Sequence, residues 1–365
     1  QINSGCFRPI QVTAPKGTML NAEAPAPGGG MGEVGMAAVY TMAAMSKLAP
    51  DQVSAEEGAG ANHNNLGGID TRFGDPHRFI YYDYPAGGGG ARSTKDGLDF
   101  VRPIRSGNVN IQSIEVLESL FPVFFHRHQL RTDSGGPGVF RGGMGVVREY
   151  HTASEGTYSV LTDHAIIPPA GIFGGNPGAT GRWEVVRDDK IVPVSPLFGS
   201  KVTGFPIRSG DRIRMSSFGG GGYGDPFKRH YDHVLNDVLD GKVSLEQAES
   251  AYGVIINPDK MEIDIEETQE LRSRLSEARI YLEPLRGQSP EFEGGMRLAW
   301  VNPSHQSQGI CEGDMTELIS SDYPSALRIR VRFSPKVVPS QILLDTEVWD
   351  NFRLSHETRL LWRPL

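Results

Sequence analysis

Apolar positions along this chain follow two periods, one helical and one strand-like. Over residues 32–48, Val34, Ala38, Met42, Met45 and Leu48 recur at three-to-four spacing with Pro50 beyond, which predicts a buried helix. Residues 111–120 predict a shorter helix, with Asn110 as its cap and Pro122 after it. Segments 78–84, 146–150 and 157–161 are rich in β-branched and aromatic residues and read as strands. Val234, Leu235, Val238 and Leu239 form one helical face that stops at Gly241. Ser244 and Gln247 then make a capping-box pattern opening a second helix that ends near Gly253. A third helix is expected over 265–281, where Leu271, Leu275 and Ala278 share a side and Glu270 precedes Arg274 by four. From 327 to 333 apolar residues and arginines alternate strictly, as in an exposed strand with a solvated basic face.

Between these elements glycine accumulates. The run Ser134-Gly135-Gly136-Pro137-Gly138-Val139-Phe140-Arg141-Gly142-Gly143-Met144-Gly145 is followed later by Gly219-Gly220-Gly221-Gly222-Tyr223-Gly224-Asp225-Pro226. Such density means that backbone itself approaches something closely. Successive N–H groups there could form an anion-binding nest, with Arg141 and Arg148 as added donors. The plainer alternative is that the glycines allow turns with positive φ and the arginines pair with acids such as Asp133 and Glu149. Residues 30–35 and 219–224 both fit G-x-G-x-x-G, but neither follows a strand as a dinucleotide fingerprint requires. The chain has no phosphate loop for ATP and no G-x-S-x-G elbow around Ser134. His126 and His128, two apart on an expected strand, are the candidate metal ligands, unsupported by any further ligand motif. Asp163 and His164 are neighbours and should point to opposite faces, which argues against a dyad.

Several stretches, in order along the chain, resemble the hydantoinase B/oxoprolinase family. They are Gly5-Cys6-Phe7-Arg8-Pro9-Ile10, Asn62-His63-Asn64-Asn65-Leu66, the glycines of 86–96, Glu115-Val116-Leu117-Glu118, the two glycine runs, and the hairpin with its Tyr252-Gly253-Val254. The likeness reaches about residue 254 and resembles the C-terminal half of a B-type subunit. It implies part of an ATP-dependent enzyme that opens cyclic amides such as hydantoins, 5-oxoproline or lactams. A ketone carboxylase acting on acetone or acetophenone is the alternative, and a non-catalytic assembly component the second. The implied partners are the N-terminal half of the B-type subunit, an A-type subunit that binds ATP, and a small-molecule substrate. A divalent metal is implied for the complex, with its ligands mainly in the half that precedes this match. Within that resemblance Asn65, Arg92 and Arg141 are the candidate catalytic residues, the arginines as oxyanion or phosphate clamps. Asn64, Ser134, Gly135, Gly136 and Arg148 are the candidate substrate- or anion-binding groups.

The fold class expected is α+β: a β-rich mixed body with glycine-rich loops over 1–254, including a helical hairpin at about 231–253. A helical connector over 255–289 and a β-containing C-terminal extension over 290–365 follow. A net charge of −8 with no Lys/Arg block argues against nucleic acid. No run of about 18 apolar residues and no basic-apolar leader argue against membrane and secretion. Only Cys6 and Cys311 are present, so a disulfide framework is not expected and a cytoplasmic setting is favoured. A half-subunit should also leave apolar surface uncovered.

Overall fold

Strand-period alternation builds most of this protein, as seen in a computed structural model that describes residues 4–18, 20–25, 41–42, 44–46, 48–57, 62–101, 112–195 and 199–365. Among the described residues, nine strands form the body. These are β1 (His63–Asp70), β2 (His77–Asp83), β3 (Val123–Leu130), β4 (Val146–Thr152), β5 (Gly156–Leu161), β6 (Arg182–Arg187), β7 (Lys190–Pro193), β8 (Lys201–Ile207) and β9 (Arg212–Ser216). They pair as two antiparallel sheets, β2-β1-β5-β8 and β3-β4-β9-β6-β7. Leu66, Phe79, Tyr81 and Tyr158 from the first sheet share one core with Tyr150, Trp183, Ile213 and Met215 from the second. The body is therefore a sandwich, each sheet turning its alternate apolar side chains inward.

The helix expected at 111–120 covers Ile114–Leu120 with Ser113 at its N-cap; the expected cap, Asn110, lies outside the described residues. Most of the helix expected over 32–48, and the glycine fingerprint at 30–35, also lie outside them. The helical hairpin consists of Tyr231–Leu239 and Leu245–Tyr252. Ser244 Oγ accepts from Gln247 N at 3.0 Å, and Gly253 closes the second helix at φ 61°. A small two-stranded ribbon, β10 (Ile255–Asn257) with β11 (Glu262–Asp264), leads into the helix Ile265–Glu277. That helix stops four residues before Tyr281.

The remaining strands are β12 (Ile280–Arg286), β13 (Phe292–Glu293), β14 (Met296–Val301), β15 (Met315–Ile319), β16 (Leu327–Phe333), β17 (Gln341–Leu344) and β18 (Leu360–Pro364). They run in the order β14-β16-β15-β18-β12-β17, and β17 pairs back to β14, closing a six-stranded barrel. Its first strand begins at Ile280, inside the segment expected to be a helical connector, so the barrel unit starts about ten residues earlier than the sequence suggested. Closure removes sheet edges, and Leu282, Val301, Leu318, Val331, Ile342 and Trp362 fill the interior.

Strand β16 differs from expectation. It lies between β14 and β15 in the barrel wall, and its arginine face is half-buried and paired instead of solvated. Arg328 Nε donates to Glu317 Oε1 at 3.1 Å, Arg330 Nη1 to the Gly313 carbonyl at 2.8 Å, and Arg332 pairs with Glu293 and Glu312. Alternation alone does not say which flanking loops will supply partners. The barrel is tied to the body through Arg363, which donates to the Gly175 carbonyl at 2.8 Å and to Asn176 Oδ1 at 2.5 Å. Arg279 adds a two-point pair with Asp225.

Candidate functional site

The glycine runs meet at the end of the sandwich, and what each approaches closely is another glycine run. Gly136 N donates to the Gly220 carbonyl at 2.8 Å, Gly220 N to Gly143 at 2.9 Å, Gly143 N to Gly89 at 2.8 Å, and Gly89 N to Leu98 at 2.9 Å. Parallel bonds run from Ala91 N to Gly221, from Gly221 N to Glu56 and from Gly222 N to Asn176. None of Gly88, Gly90, Gly136, Gly143, Gly219 or Gly220 has a positive φ. Glycine is required there by contact: a Cβ on Gly219 would sit 1.6 Å from the Ser134 carbonyl oxygen, and one on Gly90 1.8 Å from that of Ala55. The result is a buried stack of extended backbones whose N–H groups are largely taken by neighbouring carbonyls. Ser134 and Gly136 belong to this stack. Ser134 Oγ accepts from Gly145 N at 3.0 Å and its carbonyl from Ala179 N at 2.8 Å, while Gly135 would place a Cβ 2.1 Å from the Gly142 oxygen. A glycine nest for an anion is thus replaced at these positions by backbone-to-backbone packing.

Arg141 crosses from the stack to the hairpin. Its Nε faces Asp237 Oδ1 at 3.3 Å, its Nη1 faces Asp99 Oδ1 at 3.3 Å and bonds the Gly142 carbonyl at 2.6 Å, and its backbone N donates to Asp96 Oδ1 at 2.6 Å. Arg229 completes the network, bonding both Asp96 oxygens at 2.8 Å and Asp237 Oδ2 at 2.7 Å. Asp237 comes from the first hairpin helix, so that helix is clamped to the stack by buried ionic bonds. Burial opposes ionisation of Asp96, but the Arg229 hydrogen bonds and charge outweigh it and hold the carboxyl below its ordinary range.

A small cleft of about 60 Å³ opens beside Asp96, lined by Ser54, Glu57, Arg92, Lys95, Asp96, Leu98, Val101, Gly89 and Gly90. Arg92 and Lys95 are exposed and form no ion pair among the described residues. Arg92 is therefore the predicted clamp whose guanidinium remains available, and Lys95, which sequence reasoning missed, stands beside it across the Arg92↔Lys95 bridge. Arg141 reaches this cleft only through Asp96.

The other candidates separate. Asn64 and Asn65 lie on opposite faces of β1, as neighbours on a strand must. Asn64 faces the core, donating to the Asn62 carbonyl at 2.7 Å and accepting from the Tyr158 hydroxyl. Arg148, also in the core, faces Asp83 at 3.4 Å and stacks 4.9 Å over the Phe125 ring. Asn65 points to the open side of the first sheet, cross-strand from Tyr82 and Ser159. A bulge between Phe125 and Arg127 breaks the alternation that would have aligned His126 with His128. His126 contacts His151 at 2.8 Å, whereas His128 packs edge-on against Phe100, so the two do not converge. Burial lowers the pKa of His128, and the nearby Arg148 adds to it. No group of three or more His, Cys, Asp or Glu among the described residues could hold a metal ion. Asp163 pairs with Lys201 while His164 faces Glu56, so they form no dyad.

The comparisons with known proteins agree with this architecture. The model of the hydantoinase B/oxoprolinase family matches residues 1–226. The B-type subunit of a putative D-/L-hydantoinase from Pseudomonas sp. (strain NS671) is 36% identical over 271 residues, which is 74% of this chain and 44% of that protein. The crystal structure of an ATP-dependent caprolactamase from Pseudomonas jessenii superposes with a TM-score of 0.62 at 29% identity, covering 74% of this chain and 48% of that one. A nucleotide-free acetone carboxylase shares the fold, with a TM-score of 0.53 at 22% identity over 62% of this chain and 34% of its own. The chain spans about half the length of the curated relatives it matches.

Proposed function

Because this chain belongs to the hydantoinase B/oxoprolinase family, we propose that it is the C-terminal portion of a B-type subunit in an ATP-dependent cyclic-amide hydrolase of the cytoplasm. It works with a polypeptide supplying the preceding portion and with an A-type subunit that binds ATP. The observation that carries this reading is the likeness to the ATP-dependent caprolactamase over three quarters of the chain. An unstrained cyclic amide resists water, and transfer of a phosphoryl group from ATP to its oxygen makes that oxygen a leaving group. Water adds to the activated ring carbon, the C–N bond breaks as the ring nitrogen takes a proton, and the acyl phosphate so formed is hydrolysed to carboxylate and phosphate, in a site closed against premature hydrolysis.

Within this reading Arg92 and Lys95 hold the anionic oxygen or phosphoryl group at the mouth of the cleft, as charged donors left unpaired by the described residues. Asn65 meets the amide edge of the substrate from the open sheet face. Arg141 is a positioning residue, acting through Asp96 and the glycine stack beneath Arg92. Asn64, Ser134 and Arg148 act from the interior by keeping the walls in place. A divalent metal belongs to the assembly in this reading, but the described residues of this chain offer no set that fits one, and no step is routed through it. The carboxylase alternative has only a shared fold behind it.

The test is native purification with mass spectrometry of what co-purifies, followed by ATP turnover with hydantoin, 5-oxoproline, caprolactam, or acetophenone plus bicarbonate. Turnover with a cyclic amide supports the proposal. Turnover confined to ketone plus bicarbonate moves the protein to the carboxylase branch. No ATP use with any substrate by an intact assembly leaves the chain as an assembly component.

A further inference from the structure

His164 lies in the connection between β5 and β6 at φ 53°, a left-handed conformation that is strained for a residue other than glycine unless its surroundings impose it. Its side chain is only 7% exposed and sits edge-on to Phe218, ring centroids 5.4 Å apart. Nδ1 is 2.8 Å from the Ile167 carbonyl, which can only accept, so Nδ1 carries a proton in every charge state. Among the described residues Nε2 has no hydrogen-bond partner, and it faces Glu56 Oε1 at 3.8 Å. In the neutral ring this nitrogen turns a lone pair toward the carboxylate; in the imidazolium it turns an N–H toward it. The contact is therefore repulsive in one state and an ion pair in the other.

Glu56 joins this ring to the cleft. Its Oε2 accepts from Ala170 N at 2.7 Å, its N–H donates to the Ala170 carbonyl at 3.0 Å, and its carbonyl accepts from Gly221 N of the glycine stack at 2.8 Å. Next to it, Ala55 N donates to the Ala91 carbonyl at 2.7 Å and Ser54 forms a bridge with Arg92, while Ser54 and Glu57 line the cleft. We propose that His164 is a positioning residue: its imidazolium pairs with Glu56 and holds segment 54–57, and with it Arg92, against the stack. Of the charged groups around the ring among the described residues, Glu56 alone pairs with it; Asp163 pairs with Lys201 at 3.3 Å, and Glu57 belongs to the cleft. Histidine changes charge between about pH 5 and 8, so this lock is closed on the acid side of that range and open on the alkaline side. That Arg92 then serves ring opening rests on the proposed function; the lock itself does not.

The experiment is hydrogen exchange on the native assembly across that pH range, corrected for the intrinsic exchange rate and read at the amides of Ala170 and Gly221. Wild type should lose about fivefold in protection from the acid to the alkaline end, as a partly buried ion pair is released. Glu56→Gln keeps an oxygen for Ala170 N and offers Nε2 an uncharged donor, so its protection should stay at the acid-side level throughout. His164→Asn tolerates the left-handed φ but is too short to reach Glu56, so its protection should stay at the alkaline-side level. A histidine with a purely structural role would lower both variants alike. Glu56→Gln decides the matter even where His164→Asn does not fold: protection in wild type that ignores pH, or that changes equally in Glu56→Gln, overturns the lock. If exchange behaves as expected but kcat/KM for a cyclic amide keeps a constant ratio between wild type and Glu56→Gln at every pH, the link to Arg92 is overturned. An assembly that shows the exchange pattern and turns over no cyclic amide leaves the lock standing and removes the hydrolase reading.

Discussion

Gly219→Ala isolates the physical reason for the glycine density. The added methyl carbon would lie 1.6 Å from the Ser134 carbonyl oxygen, 2.2 Å from its carbon and 2.8 Å from Gly135 N. All three are backbone atoms, so no side chain can rotate away. Reaching ordinary contact requires one backbone to retreat by about 2 Å in an interior packed at crystal density. That displacement breaks the bonds next to it, Gly219 N to Ala179, Gly220 N to Gly143 and Gly136 N to Gly220. Each is worth about 1 kcal/mol net, and each buried group left unpaired costs about 1–3 kcal/mol more. Over the three bonds the loss is therefore about 6–12 kcal/mol, comparable with the whole stability of a domain. Gly210→Ala is the matched comparison, since Gly210 has φ 87° with nothing within 4 Å and suffers only backbone strain of about 1–2 kcal/mol. Chemical denaturation of both variants, with hydrogen exchange at residues 134–145 and 219–224, measures the difference. A folded Gly219→Ala protein with wild-type exchange protection and a midpoint no lower than that of Gly210→Ala would refute the contact argument.

Asp237→Asn removes one charge from a buried network shared by Arg141 and Arg229, and should cost about 3–5 kcal/mol by calorimetry, with the hairpin losing exchange protection first. Arg92→Ala should abolish most ATP-coupled ring opening in the assembled enzyme at an unchanged melting temperature, because Arg92 has no ion pair to lose among the described residues; retained turnover would remove it from the site. Asp225 feels burial that raises its pKa, but the Arg279 hydrogen bonds and the Phe227 N–H outweigh this and hold its carboxyl below the ordinary range. Its folded pKa being depressed, the stability it contributes is present above the unfolded value and is lost as pH falls through the folded one. The stability gap between wild type and Arg279→Gln should thus be full at pH 6 and shrink as pH falls below about 4, the ordinary aspartate value. Arg363→Ala frees the barrel from the Gly175 carbonyl and Asn176, and should speed proteolysis between body and barrel without unfolding either.

Local chemistry decided several features without tertiary help. The hairpin followed from its apolar spacing, the Ser244 cap and Gly253, since capping bonds reach only three or four residues. The β-rich body followed from β-branched and aromatic runs, and the need for bare backbone at 134–145 and 219–224 followed from glycine itself. What glycine density could not say is what comes close: the partners lie from a few to more than 100 residues away, and only the assembled stack shows that they are one another. The same holds for Arg141 and Arg148. Their type suited an anion clamp, but the acids that claim them, Asp99, Asp237 and Asp83, are remote in sequence. Strict alternation marked 327–333 as a strand but not as a wall of a closed barrel, because closure depends on β17 returning to β14. Asn64 and Asn65 read as one motif, and the pleat of β1 sends one into the core and the other to the open face. The availability of Arg92 and the presence of Lys95 beside it emerge only after every other candidate charge has found its partner. The sequence determines what each side chain is chemically capable of, through properties each carries alone; the tertiary structure determines which charges among the described residues are paired and buried and which stay exposed, because pairing and burial are long-range.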